Sequence, residues 1–166
     1  MTLILSKKYN PLFESKARYF IITGGRGSGK SFAVTVFLTL LTMSRGIRVL
    51  FTRFTMTSAH LSIIPEFLEK IGLLGFDETF NINKSEVVNA KNKSDILFRG
   101  IKTSAGNQTA SLKSLQGIST WVLDEAEELV DENIFDTIDL SIREKKVQNR
   151  IILVLNPVTK EHWIYK

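Results

Sequence analysis

No cysteine occurs in the 166-residue chain, so neither a disulfide framework nor a thiolate metal site can form. Histidine is nearly as scarce, and His60 and His162 stand too far apart in sequence to suggest a ligand cluster, which excludes structural zinc. Only 3 prolines are present and none forms a linker. With no low-complexity tract or internal repeat either, one domain over residues 1–166 is expected. By size scaling such a domain buries about 70% of its unfolded surface. Long apolar runs are also missing. The longest, residues 32–43, is interrupted by Thr35, Thr39 and Thr42. It is much shorter than the roughly 20 residues a bilayer requires, and it predicts a buried core helix rather than a membrane span. The apolar run at the N-terminus is too short for an export signal, and Lys7 and Lys8 follow it where a signal's cations would precede it. Lys and Arg number 22 against 17 acidic residues, a net charge of +5 that permits contact with a polyanion without demanding it.

What the chain does have is a recurring β, α, β, α order. Apolar, β-branched runs at 19–23, 48–52, 96–98, 121–123 and 151–155 predict strands, several too continuously apolar for a half-exposed sheet. Helical patterns at 31–45, 58–71 and 131–142 lie between them, with Pro65 expected to kink or split the second. The fold class that follows is α/β, a mostly parallel central sheet flanked by helices. Around 76–102 the pattern becomes alternating, with Asn, Lys and Ser turns between 80–83, 86–89 and 95–99. This predicts antiparallel hairpins inserted at one edge. His162 begins a further apolar and basic segment with no closing element, from which a continuation of the chain is expected.

The first predicted strand runs directly into GGRGSGKS, residues 24–31, and then into a helix, the context that a phosphate-binding loop requires. Gly24, Gly25, Gly27 and Gly29 allow a tight turn that aims successive amides, with those of Arg26 and Ser28, at a phosphate. Lys30 can reach the β- and γ-phosphates as a point charge, Ser31 offers a hydroxyl to Mg²⁺, and the helix that starts there adds its positive N-terminal dipole. Arg26 is unusual in such a loop. It either touches the γ-phosphate or pairs with a carboxylate among residues 125–128.

The strand at 121–123 ends in Asp124 and Glu125, which brings two carboxylates to the C-terminal edge of the sheet beside the phosphate loop. Asp124 is the candidate Mg²⁺ ligand and Glu125 the candidate base that orients and deprotonates the attacking water. Glu127 and Glu128 suit a plainer task, favouring the N-terminus of a following helix. After the last predicted strand, Asn156 is held extended by Pro157 at a third strand tip, where it can sense the γ-phosphate.

Taken together, GGRGSGKS, then LKSLQGIS before WVLDEAEEL, then ILVLNPV followed by HW, the chain resembles the N-terminal ATPase domain of phage terminase large subunits, particularly the PBSX-like group, over residues 19–163. The resemblance implies a P-loop fold of the additional-strand, catalytic-glutamate type. It also implies ATP as the nucleotide, with Lys30 and Ser31 in the Walker A motif, Asp124 and Glu125 in Walker B, Asn156 in the coupling motif and Arg26 as the loop arginine. Residues 113–119 would lead into the Walker B strand, and VLFTRFT, residues 49–55, resembles the second strand ending in an arginine, Arg53. The implied partners are double-stranded DNA held without base preference, the portal protein, the terminase small subunit and further copies in a ring, all in the cytoplasm of an infected bacterium.

The chain departs from the family in two respects. No glutamine precedes the loop to read adenine, and no carboxylate cluster offers the family's nuclease chemistry. Tyr9 or Phe13 could stack on the base, although an aromatic near a domain's start is more often simple packing. A ring would also supply an arginine in trans, for which Arg53, Arg99 and Arg143 are candidates. Lys84, Lys91, Lys93, Arg99 and Lys102, with Lys145, Lys146 and Arg150, are either a DNA-tracking surface or solvated faces. Rival readings are a helicase-like ATPase, which needs a second such domain, a kinase, which does not need Glu125, and an ATP-gated scaffold.

Overall fold

In a computed structural model the chain is described over residues 3–56, 61, 63–103 and 106–166, with the side chains of 103 and 107 also outside the description. His60 and the expected helix start at Ser58 lie outside the described residues. The elements in order are α1 (Asn10–Glu14), β1 (Tyr19–Thr23), α2 (Lys30–Leu41), β2 (Arg48–Thr55), α3 (Ile63–Leu73), β3 (Phe80–Ile82), β4 (Glu86–Asn89), β5 (Asp95–Thr103), β6 (Gly106–Asn107), α4 (Thr109–Lys113), β7 (Thr120–Asp124), α5 (Glu132–Asp139) and β8 (Arg150–Leu155). The strands form one eight-stranded sheet in the order β1-β8-β7-β2-β5-β4-β3, with β6 paired to the end of β5. From β1 to β5 every neighbour is parallel, while β3, β4 and β6 are antiparallel additions. β8 therefore stands between the phosphate-loop strand and the acidic strand, the additional strand that the resemblance implied.

Strand alternation explains the continuously apolar runs. In β2, β7 and β8, Val49, Phe51, Val122, Ile152 and Val154 face one core with α2 and α3, including Ala33, Val34, Phe37, Phe67 and Ile71. Leu50, Trp121, Leu123, Ile151, Leu153 and Leu155 face a second core with Leu112 of α4 and Phe135 and Ile138 of α5. A strand buried on both faces leaves few positions for a polar residue. α2 is correspondingly buried along most of its length, and Thr39 and Thr42 satisfy their hydroxyls on the Thr35 and Leu38 carbonyls of the same helix. Among the described residues no helix is long and apolar enough to cross a membrane.

Three expectations are corrected. Pro65 neither kinks nor splits its helix, because α3 starts at Ile63 and places the proline in the first turn, where its missing amide has no helical acceptor to lose. α2 ends at Leu41, short of Arg45, with Thr42 as C-cap. Residues 95–99 are not confined to an edge hairpin: β5 pairs in parallel with β2 on one side and antiparallel with β4 on the other. β5 is thus the seam where the parallel core meets the added hairpin.

Trp121 joins these layers. It is fully buried, its Nε1 donates to Thr52 Oγ1 at 2.9 Å, and that hydroxyl donates in turn to the Val122 carbonyl at 3.0 Å. Trp121→Phe is expected to cost about 1–3 kcal/mol through the lost bond and the space left behind. In urea it should lower the unfolding midpoint at unchanged slope.

Candidate nucleotide-binding and hydrolysis site

Four parallel strands, β1, β8, β7 and β2, lie side by side and end at the same edge of the sheet. Their tips carry the glycine-rich loop, Asn156, Asp124 with Glu125, and Arg53, so residues distant in sequence meet in one cleft. The cleft has a volume of about 420 Å³ and is lined by the loop from Arg26 to Ser31, by Arg53, Asp124, Glu125 and Glu127, and by Asn156. That size accommodates a small ligand.

The loop owes its shape to glycine. Gly27 and Gly29 have φ of +73° and +82°, in the left-handed region, and Gly29 caps α2 there. At Gly24 a side chain would come within 3.0 Å of Ser28 Oγ. Lys30, 9% exposed, folds back over the loop, donating to the Gly24 carbonyl, to the Gly25 carbonyl at 3.0 Å and to Asn156 Oδ1 at 3.3 Å. Ser31 lines the cleft at the start of α2, and Arg26, also on the cleft, is exposed and makes no ion pair among the described residues. Outside the loop, Tyr9 Oη and Lys8 Nζ both donate to the Ser28 carbonyl, at 2.9 and 3.1 Å. Tyr9 is buried in that strut, and Phe13, partly exposed, packs edge-on against Phe37 at 5.2 Å, so the two rings brace the loop and α2.

Of the two alternatives for Arg26, the carboxylate pairing is not formed among the described residues, and the acids at the tip of β7 are held by Arg53. Its guanidinium lies 2.7 Å from Asp124 Oδ2 and 3.7 Å from Glu125 Oε2. Asp124 is nearly dry, with its side chain 8% exposed, whereas Glu125 is 44% exposed. Glu125 also has φ of +54°, a left-handed conformation that costs a residue with a side chain of order 1–3 kcal/mol and clusters at functional sites. Desolvation pushes the Glu125 carboxyl above the usual carboxylate range. Arg53 opposes the rise, while Asp124, Glu128 and Glu127 reinforce it.

Sequence reasoning misplaced Glu127. The residues after Glu125 form a short 3-10 turn, Ala126–Glu128, and the following helix α5 is capped by Asp131, which accepts from the Asn133 amide at 3.0 Å. Glu127 instead accepts a 2.7 Å hydrogen bond from Asn156 Nδ2 and lines the cleft. No sequence signal separated it from the adjacent Glu128.

The resemblance is decided by comparison. The family of the phage terminase large subunit matches residues 16–166. This chain belongs to that family. No curated protein matches the terminase chain in sequence. Solved structures share its fold at low identity. The large terminase of a thermophilic bacteriophage superposes with a TM-score of 0.74 at 13% identity, over 98% of this chain and 42% of that one, and the same thermophilic phage protein has also been solved with ADP and with ATP-γ-S. The packaging motor assembly of bacteriophage Phi-29 gives 0.69 at 15% identity, over 96% and 50%. The large terminase ATPase domain of Thermus phage P74-26 gives 0.64 at 19% identity, over 94% and 67%. The terminase chain thus spans about two fifths of the length of the thermophilic phage protein.

The basic residues singled out by sequence are not one surface. Lys84, Arg99 and Lys102 fall at the cleft end of the added hairpin, where Arg99 donates to the Ser85 carbonyl at 3.2 Å and Lys102 lies over the Phe54 ring at 5.9 Å. Lys91, Lys93, Lys145, Lys146 and Arg150 fall at the opposite edge, in or beside the turns that enter β5 and β8. Arg143 is exposed in the same loop as Lys145.

Proposed function

We propose that residues 1–166 form the ATP-hydrolysing motor domain of a DNA-packaging terminase large subunit, which uses ATP and Mg²⁺ to drive double-stranded DNA into a viral shell. The observation that carries this reading is the convergence of Lys30, Asp124, Glu125 and Asn156 on one cleft from adjacent strand tips. The amides of residues 24–29 would cradle the phosphates, with Lys30 on the β- and γ-groups and Arg26 free to close over the γ-phosphate. Glu125 would take the proton of the attacking water, and Asn156 would sense the third phosphate.

The donor set suits magnesium. The candidate ligands Asp124 and Ser31 both line the cleft, and among the described residues no cluster of three or more acids and histidines could hold a metal alone. Mg²⁺ prefers such sites, with few protein ligands and the remainder from phosphate and water. Bound there, it would offset charge on the transferring phosphoryl group. The thermophilic phage terminase complexes with ADP and ATP-γ-S support the nucleotide assignment, and the Phi-29 packaging motor assembly supports work as part of a larger assembly. Further copies in a ring, the portal, the small subunit and double-stranded DNA are the partners this reading adds. Of the three arginines considered for action on a neighbouring subunit, Arg53 is the least suited, since it is committed to its own chain's carboxylates. Lys84, Arg99 and Lys102, on the cleft edge, are the better candidates for DNA contact, and such contact should weaken steeply with salt.

The test is phosphate release from ATP at rising protein concentration, with Mg²⁺ and with EDTA. Mg²⁺-dependent turnover per subunit that climbs with concentration is expected of a motor completed by its neighbour. ATP binding with no turnover at any concentration would favour a scaffold.

Arg53 also makes a pH prediction. It holds the Glu125 pKa down against burial, so Arg53→Gln removes a lowering influence and the carboxyl titrates higher. A base works only when deprotonated, and the acid limb of the pH–rate profile is therefore expected at higher pH in Arg53→Gln than in wild type. Coincident limbs would mean that Arg53 does not tune the base.

A further inference from the structure

The 3-10 turn Ala126–Glu128 is gripped from two sides. On one side Glu127 Oε1 accepts from Asn156 Nδ2 at 2.7 Å. With its NH₂ committed to a carboxylate, the Asn156 amide has to present Oδ1 in the other direction, where it lies 3.3 Å from the Lys30 ammonium. Without that acceptor the amide has no reason to keep its oxygen toward Lys30, and the flipped form would set NH₂ against a cation. On the other side, His162 Nε2 lies 3.2 Å from the Glu127 carbonyl, and the Leu129 carbonyl accepts from Trp163 Nε1 at 2.6 Å. His162 Nδ1 accepts from the Ile164 amide at 3.3 Å, which leaves Nε2 as the nitrogen that carries the proton and donates. The Trp163 ring lies 4.7 Å from Phe135, which stacks on Trp121.

The carboxylate is poorly explained by stability. Its second oxygen, Oε2, is buried and finds no hydrogen-bond partner in the protein, an arrangement that works against folding. Capping is excluded as its purpose, because Asp131 caps α5.

We propose that Glu127 is a positioning residue of the motor. It holds the Asn156 amide with Oδ1 toward Lys30 and one Nδ2 hydrogen left for the third phosphate, and its turn carries the nucleotide state to the His162–Trp163 segment. Asn156 donating its second Nδ2 hydrogen to a third phosphate pulls on Glu127, and the turn moves with the two carbonyls that hold His162 and Trp163. Loss of that phosphate relaxes the same chain of contacts. The proposal rests on the reading that the cleft binds ATP.

The test uses equilibrium tryptophan fluorescence of the full 166-residue chain with ADP and with ATP-γ-S, alongside steady-state kinetics, in wild type, Glu127→Ala, Glu127→Gln and Trp163→Phe. Wild type is expected to give different spectra with the two nucleotides, and Trp163→Phe to lose the difference. Glu127→Ala should bind both nucleotides but make their spectra coincide, with kcat lowered roughly 10- to 100-fold at little change in KM, the size expected from losing one positioning bond to a charged group. Glu127→Gln keeps an acceptor oxygen for Asn156 and should restore both the difference and most of the rate. A folded Glu127→Ala with wild-type kcat and a wild-type spectral difference overturns the proposal. So does a difference that survives in Trp163→Phe, because the signal then does not reach that segment. Failure of the wild type to bind either nucleotide overturns the ATP reading itself, which separates the two failures.

Discussion

Glu125→Gln is expected to lower ATP turnover by about 10²- to 10⁴-fold, the usual worth of a positioned general base, while leaving nucleotide affinity near that of wild type. The substitution is close to isosteric, removing the ability to accept a proton and, with the charge, only the longer 3.7 Å pairing to Arg53. Arg53 keeps its 2.7 Å pairing with Asp124, so the strand tip and the candidate metal ligand stay in place. The left-handed backbone at residue 125, φ +54°, is set by the turn that follows β7 and should persist with glutamine. Phosphate release measured beside ATP-γ-S binding gives the answer. A variant that binds and turns over at the wild-type rate would show that Glu125 is not the base and move attention to the neighbouring carboxylate of Glu127, the other acid bonded within the cleft.

The second large effect is on binding. Lys30→Ala is expected to weaken nucleotide binding by roughly 10²- to 10⁴-fold, from two charge-assisted bonds to phosphate worth about 1.5–3 kcal/mol each. The ammonium is already aimed at the loop, bonded to the Gly24 and Gly25 carbonyls and to Asn156. Phosphate oxygens entering the amide cradle would meet it without rearrangement of α2. Lys30→Arg should not rescue, because a planar fork on a longer stem cannot replace a compact charge packed at 9% exposure. Calorimetric titration with ATP-γ-S checks both variants. An unchanged affinity in Lys30→Ala would remove the lysine from the phosphate site.

Much of this molecule was legible in one dimension, and the reason is local. GGRGSGKS needs no distant partner to be read: its glycines, its lysine and the strand and helix on either side lie within one βα unit, and the structure forms that unit as β1, loop and α2. The buried strands were equally plain, because Val49, Leu50, Phe51 and their counterparts in β7 and β8 feed two cores by simple alternation. Asp124 and Asn156 were visible for the same reason, each ending an apolar run at the edge where such sheets place their ligands.

What sequence missed depended on which strand lies beside which. Glu127 and Glu128 are indistinguishable as letters, and only the insertion of β8 next to β7 brings Asn156 within 2.7 Å of the first. For Tyr9 and Phe13 the sequence left base stacking and simple packing both open, and the packing of α1 sets them against the loop and α2. The lysines and arginines of the hairpin formed one cluster in sequence, but an antiparallel strand reverses direction and sends its two turns to opposite edges of the sheet. Arg53 was read as a candidate for action on a neighbour, and the pairing of β2 with β7 places its guanidinium on Asp124 and Glu125 of its own chain. The sequence by itself thus determined the family, the fold class and the glycine-rich loop between β1 and α2, since each rests on short-range pattern. The tertiary structure alone decided which charges meet, because strand order is fixed by the packing of the whole sheet and a hydrogen bond or ion pair forms only within a few ångströms.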